Sequence, residues 1–325
     1  MPYTTLSTMY KFNAQRPKLG ISACVTGQPV RYDGGHKRST FCVDQLGEHV
    51  DFLPLCPEMA IGMGSPRPTL RLVQEPSGVI ARCTDGRDLT QALRDYGTEK
   101  SRELDVISGY IFCAKSPSCG MERVKVHDAG GKGSRKIGTG VFAQAFMARQ
   151  PNLPVEEDGR LNDPLLRENF VARVYAYHDW LGLSHDGLSA AALIDFHSRY
   201  KFLVLAHSPV AYRQLGRQLA NLSQDIDEVA RRYIEQLMRT LAQPITRRNH
   251  ANVLQHIQGY LKTSLSSAER IELAKSIDQY RIGKLPLLAP ITLIRHYLAV
   301  YPNAYLASQR YLQPHPDELG LRYGL

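Results

Sequence analysis

A chain of 325 residues, 43% hydrophobic and 22% charged, has ordinary globular composition and enough length for two domains, which excludes extensive disorder. Its apolar runs are short and broken by charge or proline ("IDFHSRYKFLVLAHS", "LPLLAPITLI"), so no membrane span is expected. The N-terminal "MPYTTLSTMYKFNAQRPKLG" lacks the apolar centre of a secretory signal, which predicts a cytoplasmic protein. The net charge of +9 favours a polyanionic partner such as nucleic acid, although many proteins of this pI bind none.

In chain order, "KLGISAC" is a short apolar run that ends in a small-residue loop, and "VDFLPLCPE" repeats the design. "DLTQALRDYGTEKSREL" has helical periodicity with Asp88 placed as its N-cap, and "VISGYIFCAKSPSCG" is a third strand-like run. "DAGGKGSRKIGTGVFAQAF" lacks the spacing of a phosphate-binding P-loop and reads as a flexible turn feeding a helix near the site entrance. Residues 151–190 hold 7 acidic and 3 basic side chains, prolines and the single tryptophan, Trp180, and read as an acidic linker. The domain boundary is expected between Pro151 and Ser189. Beyond it, apolar residues recur at helical spacing in about five segments, punctuated by Pro209, Pro244, Pro286 and Pro302. The expected architecture is an α/β N-terminal domain with a mainly parallel sheet, followed by an all-α C-terminal domain.

All six cysteines (Cys24, Cys42, Cys56, Cys83, Cys113, Cys119) lie in the first 119 residues. In a cytoplasmic protein, disulfides are disfavoured, which leaves metal binding, catalysis or burial. Cys42 and Cys113 sit in apolar runs and read as core, and Cys83 ends a strand at a turn and is ambiguous. Cys24, Cys56 and Cys119 each follow a putative strand, where an α/β sheet gathers its ligand site. Their loops are "SACVTGQPVRYDGG", "LCPEMAIGMGSPRPTLRL" and "KSPSCG", which bring Arg31, Asp33, Glu58, Lys115, Ser116 and Ser118 beside thiols; Gly62, Gly64, Pro66 and Arg67 complete a turn. Structural zinc would want a fourth ligand and close cysteine pairs, which are missing. Spacing alone leaves three readings open: a 4Fe–4S cluster held by three cysteines with one iron free, a structural cluster, and plain core thiols.

The three loops, in this order, resemble the signatures of the thiouracil desulfidase (TudS) family over roughly residues 18–150. "FHSRYKFLVLAHSPVAYRQLGR", "NVLQHIQGYLK", "RIGKLPLLAPITLIRHYL" and "QPHPDEL" resemble a YbgA-type helical domain. Such a fusion is similar to RudS-type desulfidases acting on 4-thiouridine, free or in tRNA. The resemblance implies a desulfidase domain over 18–160 and a YbgA-like, candidate tRNA-binding domain over 185–320. It assigns Cys24, Cys56 and Cys119 to a 4Fe–4S cluster, with Glu58 as general base and Ser116 beside the substrate. Ser118, Arg31, Asp33 and Lys115 are expected to bind substrate, and Ser116 and Ser118 could exchange roles. The implied chemistry is non-redox: the thiocarbonyl sulfur meets the cysteine-free iron, water attacks the carbon, and sulfur leaves as hydrosulfide.

Other features have plainer readings. His207, His250, His256 and His296 share no ligand spacing and fit capping or surface roles. Arg231, Arg232, Arg239, Arg247 and Arg248, with Tyr233 and Tyr260, form either a solvated face or an RNA grip. The alternative to an enzyme is a nucleic-acid-binding protein with a structural or redox-sensing cluster. Oligomeric state and a preference for 2-thio or 4-thio bases are not legible.

Overall fold

The computed structural model describes residues 15–130, 133–185, 187–220 and 225–323. It divides within one helix, between Phe170 and Val171, into an α/β unit and a helical unit.

In the α/β unit, strands β1 (Lys18–Ser22), β2 (Asp51–Leu55), β5 (Gly109–Phe112) and β8 (Val155–Glu157) form a sheet of order β2-β1-β5-β8. Every ladder in it is parallel. β5 is buried along its whole length, as expected of a central parallel strand. Gly20 is required by close packing: a Cβ there would lie 2.2 Å from the Tyr110 ring, which in turn stacks on Phe112 at 4.3 Å. Phe142 and Phe146, from α3 (Val141–Arg149), complete this aromatic core.

A second sheet, not foreseen in the sequence, has the order β4-β3-β6-β7. Its strands are β3 (Leu70–Glu75), β4 (Gly78–Cys83), β6 (Val124–Asp128) and β7 (Ser134–Gly138). It mixes antiparallel β3–β4 and β6–β7 pairs with a parallel β3–β6 pair. The glycine-rich segment read as a flexible turn therefore supplies strand β7 and the start of α3; its residues 131–132 lie outside the described residues. Helix α2 (Thr90–Glu103) starts at Thr90, and Asp88 accepts from the Thr90 N–H at 2.9 Å, so it serves the helix start from just outside the cap position.

The acidic stretch is not a solvated linker. Glu156, Glu157 and Asp158 are buried, and each has partners: Arg160 on Glu156 at 2.6 Å, the Met121 N–H on Glu157 at 2.8 Å, and Lys37 on Asp158 at 2.9 Å. Burial raises the Glu157 carboxyl above its usual range. Helix α4 (Pro164–His185) follows.

The helical unit holds α5 (Ala190–His207), α6 (Pro209–Ala220), α7 (Ile226–Leu241), α8 (Arg247–Leu261), α9 (Ser267–Arg281) and α10 (Leu288–Val300), and the short α11 (Ala304–Ala307). Six long helices among the described residues replace the expected five, because Pro209 splits one apolar segment into α5 and α6. The starts follow the sequence: Ser189, Asp225, Thr246 and Ser266 each cap a helix, and Ser266 forms a capping box with Glu269. No described helix is long and apolar enough to cross a membrane.

Candidate active site

Three neighbouring parallel strands deliver the three cysteines. Cys24 lies in the turn after β1, Cys56 directly follows β2, and Cys119 lies in the loop after β5. The strand order reverses at β1, with β2 on one side and β5 on the other, which is where an open α/β sheet leaves a crevice beyond its carboxyl ends. All three cysteines line one cavity of about 520 Å³, together with Arg31, Lys37, Glu58, Arg67, Lys115 and Ser116.

Helix α1 (Pro57–Ala60) places Glu58 one short turn beyond Cys56. The Ser118 hydroxyl donates to Glu58 Oε1, and the Cys56 thiol donates to Oε2 at 3.4 Å. Arg67 Nη2 lies 3.8 Å from the same carboxylate, and both side chains are largely buried. The guanidinium is fixed in turn by the carbonyls of Val30 at 2.8 Å and Gly64 at 2.9 Å. Ser116 Oγ is 2.9 Å from Ser118 Oγ and accepts the Cys119 N–H at 3.1 Å. A chain of hydroxyls thus runs from the cavity wall to Glu58.

Ser116 lines the cavity, whereas Ser118 is fully buried and absent from its lining. Arg31 and Lys115 line it too, Lys115 with a left-handed backbone (φ 66°). Asp33 does not. Its carboxylate accepts the Gly35 N–H at 3.0 Å and lies 3.7 Å from Arg31, so it shapes the turn. Three residues were missed. Arg67 is more than the turn residue its sequence context suggests, because its side chain holds Glu58. Lys37, bonded to Asp158 as described, lines the cavity. Cys113, read as core, is indeed buried, yet it lines the cavity and hydrogen-bonds with Cys24. Its position could have exposed it, since Cys113 follows β5 as directly as Cys56 follows β2. Cys42 and Cys83 are buried core thiols.

Of the four cysteines that line the cavity, Cys24, Cys56 and Cys119 sit where a bare thiolate is disfavoured, whereas the hydrogen bond with Cys24, helped by Lys37, lowers Cys113 against its burial. The hydrogen bond with Cys113, burial, and the nearby Cys119 and Glu58 hold Cys24 well above the ordinary thiol range. Burial and the Glu58 carboxylate push Cys56 up to about 12, and the same two causes hold Cys119 well above the ordinary thiol range. Burial pulls Lys37 down, but Cys113 and Asp158 outweigh it and raise it overall. Gathered thiols of this kind become thiolates when a positive centre compensates their charge. Among the described residues, no three His, Cys, Asp or Glu side chains are close enough to share a single metal ion. The donor set itself, three thiols brought to one cavity by three separate loops, is of the soft type that iron–sulfur clusters take.

The helical unit offers no comparable centre. His207 and His250 are not surface groups: His207 Nδ1 bonds the Gln243 carbonyl at 2.7 Å, and His250 Nδ1 bonds the Tyr311 hydroxyl at 3.0 Å. His256 and His296 are exposed. Tyr233 is fully buried, stacked on Trp180, and cannot grip RNA; Tyr260 is exposed. Arg231 and Arg239 are paired with Glu228 and Glu235 at 2.8 and 2.6 Å, and Arg232 lies 3.5 Å from Glu228.

Comparison with known proteins adds two family matches. Residues 19–158 match the 2-thiouracil desulfurase model, and residues 201–316 match a protein family of unknown function, DUF1722. The chain is 42% identical over 158 residues to the uncharacterized protein YbgA of Escherichia coli (strain K12), covering 48% of this chain and 94% of that protein. Among solved structures, it is similar to the 4Fe–4S-dependent thiouracil desulfidase TudS, at 28% identity and a TM-score of 0.36. That match covers 45% of this chain and 94% of the other.

Proposed function

Because the chain belongs to the YbgA family and its residues 19–158 match the 2-thiouracil desulfurase model, we propose that it is a non-redox desulfidase of thiolated pyrimidines. Its substrate on this reading is 4-thiouridine, free or within tRNA, with thiouracil as the simplest analogue. The oxo base and hydrosulfide are the products. The observation that carries the reading is the convergence of Cys24, Cys56 and Cys119 on one cavity with a tethered carboxylate, Glu58.

Cys24, Cys56 and Cys119 would hold a 4Fe–4S cluster, whose cysteine-free iron supplies a soft Lewis acid for a thiocarbonyl sulfur. The remaining work falls to the protein's own side chains. Glu58 accepts the proton of the attacking water, and Arg67 and Ser118 fix the carboxylate that does so. Ser116 presents a hydroxyl to the base from the cavity wall. Lys37, Arg31 and Lys115 make the cavity cationic, which favours the anionic sulfur that leaves. The balance is hydrolytic: the carbon–sulfur bond breaks, a carbon–oxygen bond forms, and no electron is transferred.

Protein purified without air should be brown, with about four irons and four sulfides per chain. Cys24→Ala, Cys56→Ala or Cys119→Ala should abolish colour and sulfide release from 4-thiouridine. Glu58→Gln should keep the colour and lower release by about a hundredfold or more. A colourless active protein would overturn the cluster assignment. An intact cluster with no sulfide release from the wild type would favour a structural or redox-sensing cluster instead.

A further inference from the structure

The second sheet carries a charge pattern that the desulfidase site does not use. Arg71 on β3 lies opposite Arg82 on β4, and Lys125 on β6 lies opposite Lys136 on β7. The parallel β3–β6 ladder begins at the Leu72–Val126 pair, Arg71 and Lys125 each precede their strand's member of that pair by one residue, and both line one groove. Cross-strand partners project from the same face, so four cations form one row across four strands, about 14 Å long at ordinary strand spacing. The opposite face of β3 and β6 is apolar and buried through Leu72 and Val126.

Like charges directly opposite one another destabilise a sheet. Nothing nearby cancels that cost for most of the row. Arg82 pairs with Glu75 at 2.7 Å, but among the described residues Arg71, Lys125 and Lys136 have no carboxylate in ion-pair range. The carboxylates bordering the groove are engaged elsewhere: Glu122 on Arg160 at 2.7 Å, and Glu157 on backbone N–H groups. The groove has a volume of about 840 Å³, and Arg71 and Lys115 line both it and the cysteine cavity. On α7, by contrast, the arginines are answered by Glu228 and Glu235 on their own helix.

We infer that this sheet face binds the phosphodiester backbone of an RNA strand whose thiolated base occupies the cysteine cavity. The inference rests on the proposed desulfidase reading for the base and stands on its own for the backbone. The row is too long for one phosphate and suits several in succession. Its continuity with a cavity sized for a nucleobase favours RNA over an acidic polypeptide. The α/β unit then holds both parts of the substrate, with backbone contacts giving affinity and the cavity giving selectivity.

The test measures binding, not turnover. A fluorescein-labelled twelve-nucleotide single-stranded RNA with one central 4-thiouridine is titrated with the full chain by anisotropy at several salt concentrations. Lys125→Gln combined with Lys136→Gln should weaken binding about tenfold or more at low salt. The slope of log affinity against log salt should become shallower by about 1.4, at roughly 0.7 per lost contact. Arg231→Gln with Arg232→Gln should change affinity less than twofold. If the double lysine variant fails to fold by circular dichroism, each single variant should show about half the slope change. Unchanged affinity and slope would overturn the inference. So would a loss confined to 4-thiouridine 5′-monophosphate, which indicates a single phosphate site, or to polyglutamate, which indicates an acidic protein. RNA bound on this face without sulfide release would overturn the desulfidase reading alone.

Discussion

At the scale of single residues, the site is organised around holding one carboxylate still. Glu58 is gripped from three directions: by the Ser118 hydroxyl, by the Cys56 thiol at 3.4 Å, and by Arg67 at 3.8 Å. The grip is itself anchored, since two backbone carbonyls fix the guanidinium and Ser116 bonds both Ser118 and the Cys119 N–H. A general base works when its geometry is set before the reaction, and a buried hydroxyl that touches no substrate can set it. On the proposed reading, with Glu58 as the base, Ser118 acts as a positioning residue. Ser118→Ala should leave the visible spectrum of the loaded protein intact and lower kcat by roughly tenfold, with KM for 4-thiouridine little changed. Ser118→Thr, which keeps the hydroxyl, should restore part of the loss. A variant whose KM rises while kcat holds would move Ser118 from positioning to substrate binding.

At the scale of elements, the loop that carries Cys119 is clamped by the start of α3. The Gly140 N–H donates to Gly120 O at 2.7 Å, Val141 N–H to Pro117 O at 3.1 Å, and Ala143 N–H to Ser118 O at 3.1 Å. The first turn of a helix has free N–H groups, and here they are spent on the carbonyls of the cysteine loop. Such contact needs the two backbones close together. A Cβ on Gly140 would fall 2.4 Å from Ser118 C and O, although the φ of Gly140, −59°, is ordinary. Gly140→Ala should therefore displace the loop and cost about 1–3 kcal/mol. The expected result is less iron per chain after reconstitution with the secondary structure retained, whereas Gly130→Ala, with open space around it, should reconstitute normally. Equal iron in both would show that the loop does not depend on the clamp. This contact explains what the sequence could and could not disclose. Strand-then-cysteine runs were legible because short apolar runs ending in small residues are local patterns. The glycine-rich segment was misread because Gly138 and Gly140 answer to packing partners distant in sequence: Val126 and Leu72 for one, Ser118 for the other. The buried acids of β8 were misread as a linker for the same reason, since Lys37 lies over a hundred residues away from Asp158. The second sheet was hidden by strands whose exposed positions carry charge, as Arg71, Lys125 and Lys136 do.

At the scale of the whole molecule, the helical unit carries a built-in sensitivity to acid. In the helical unit, burial holds several histidines neutral: His197, His207 and His315 are pulled down to about 4 and His250 to about 3. For His250, the neighbouring Arg322, His207 and Arg247 add to burial in the same direction. An unfolded chain protonates these rings near pH 6.5, so below that pH the unfolded state binds more protons than the folded one. Stability must then fall as pH drops from about 6.5 toward 4, by at most about 1.4 kcal/mol per pH unit for each histidine. From pH 7 upward these rings become neutral in both states, and their slope fades to nothing by about pH 8. The single tryptophan, Trp180, packs against Phe196 and Tyr233 within this unit, so its fluorescence reports the melting of the helical unit. The midpoint of that melt should change little from pH 8 to 7 and fall progressively and more steeply from pH 6.5 to 5. His250→Gln should flatten the acid side of the curve even if it lowers the midpoint at pH 7, because a glutamine can address the Tyr311 hydroxyl without taking up a proton. A wild-type midpoint that does not move between pH 7 and 5 would mean that these histidines reach solvent and protonate freely within the fold.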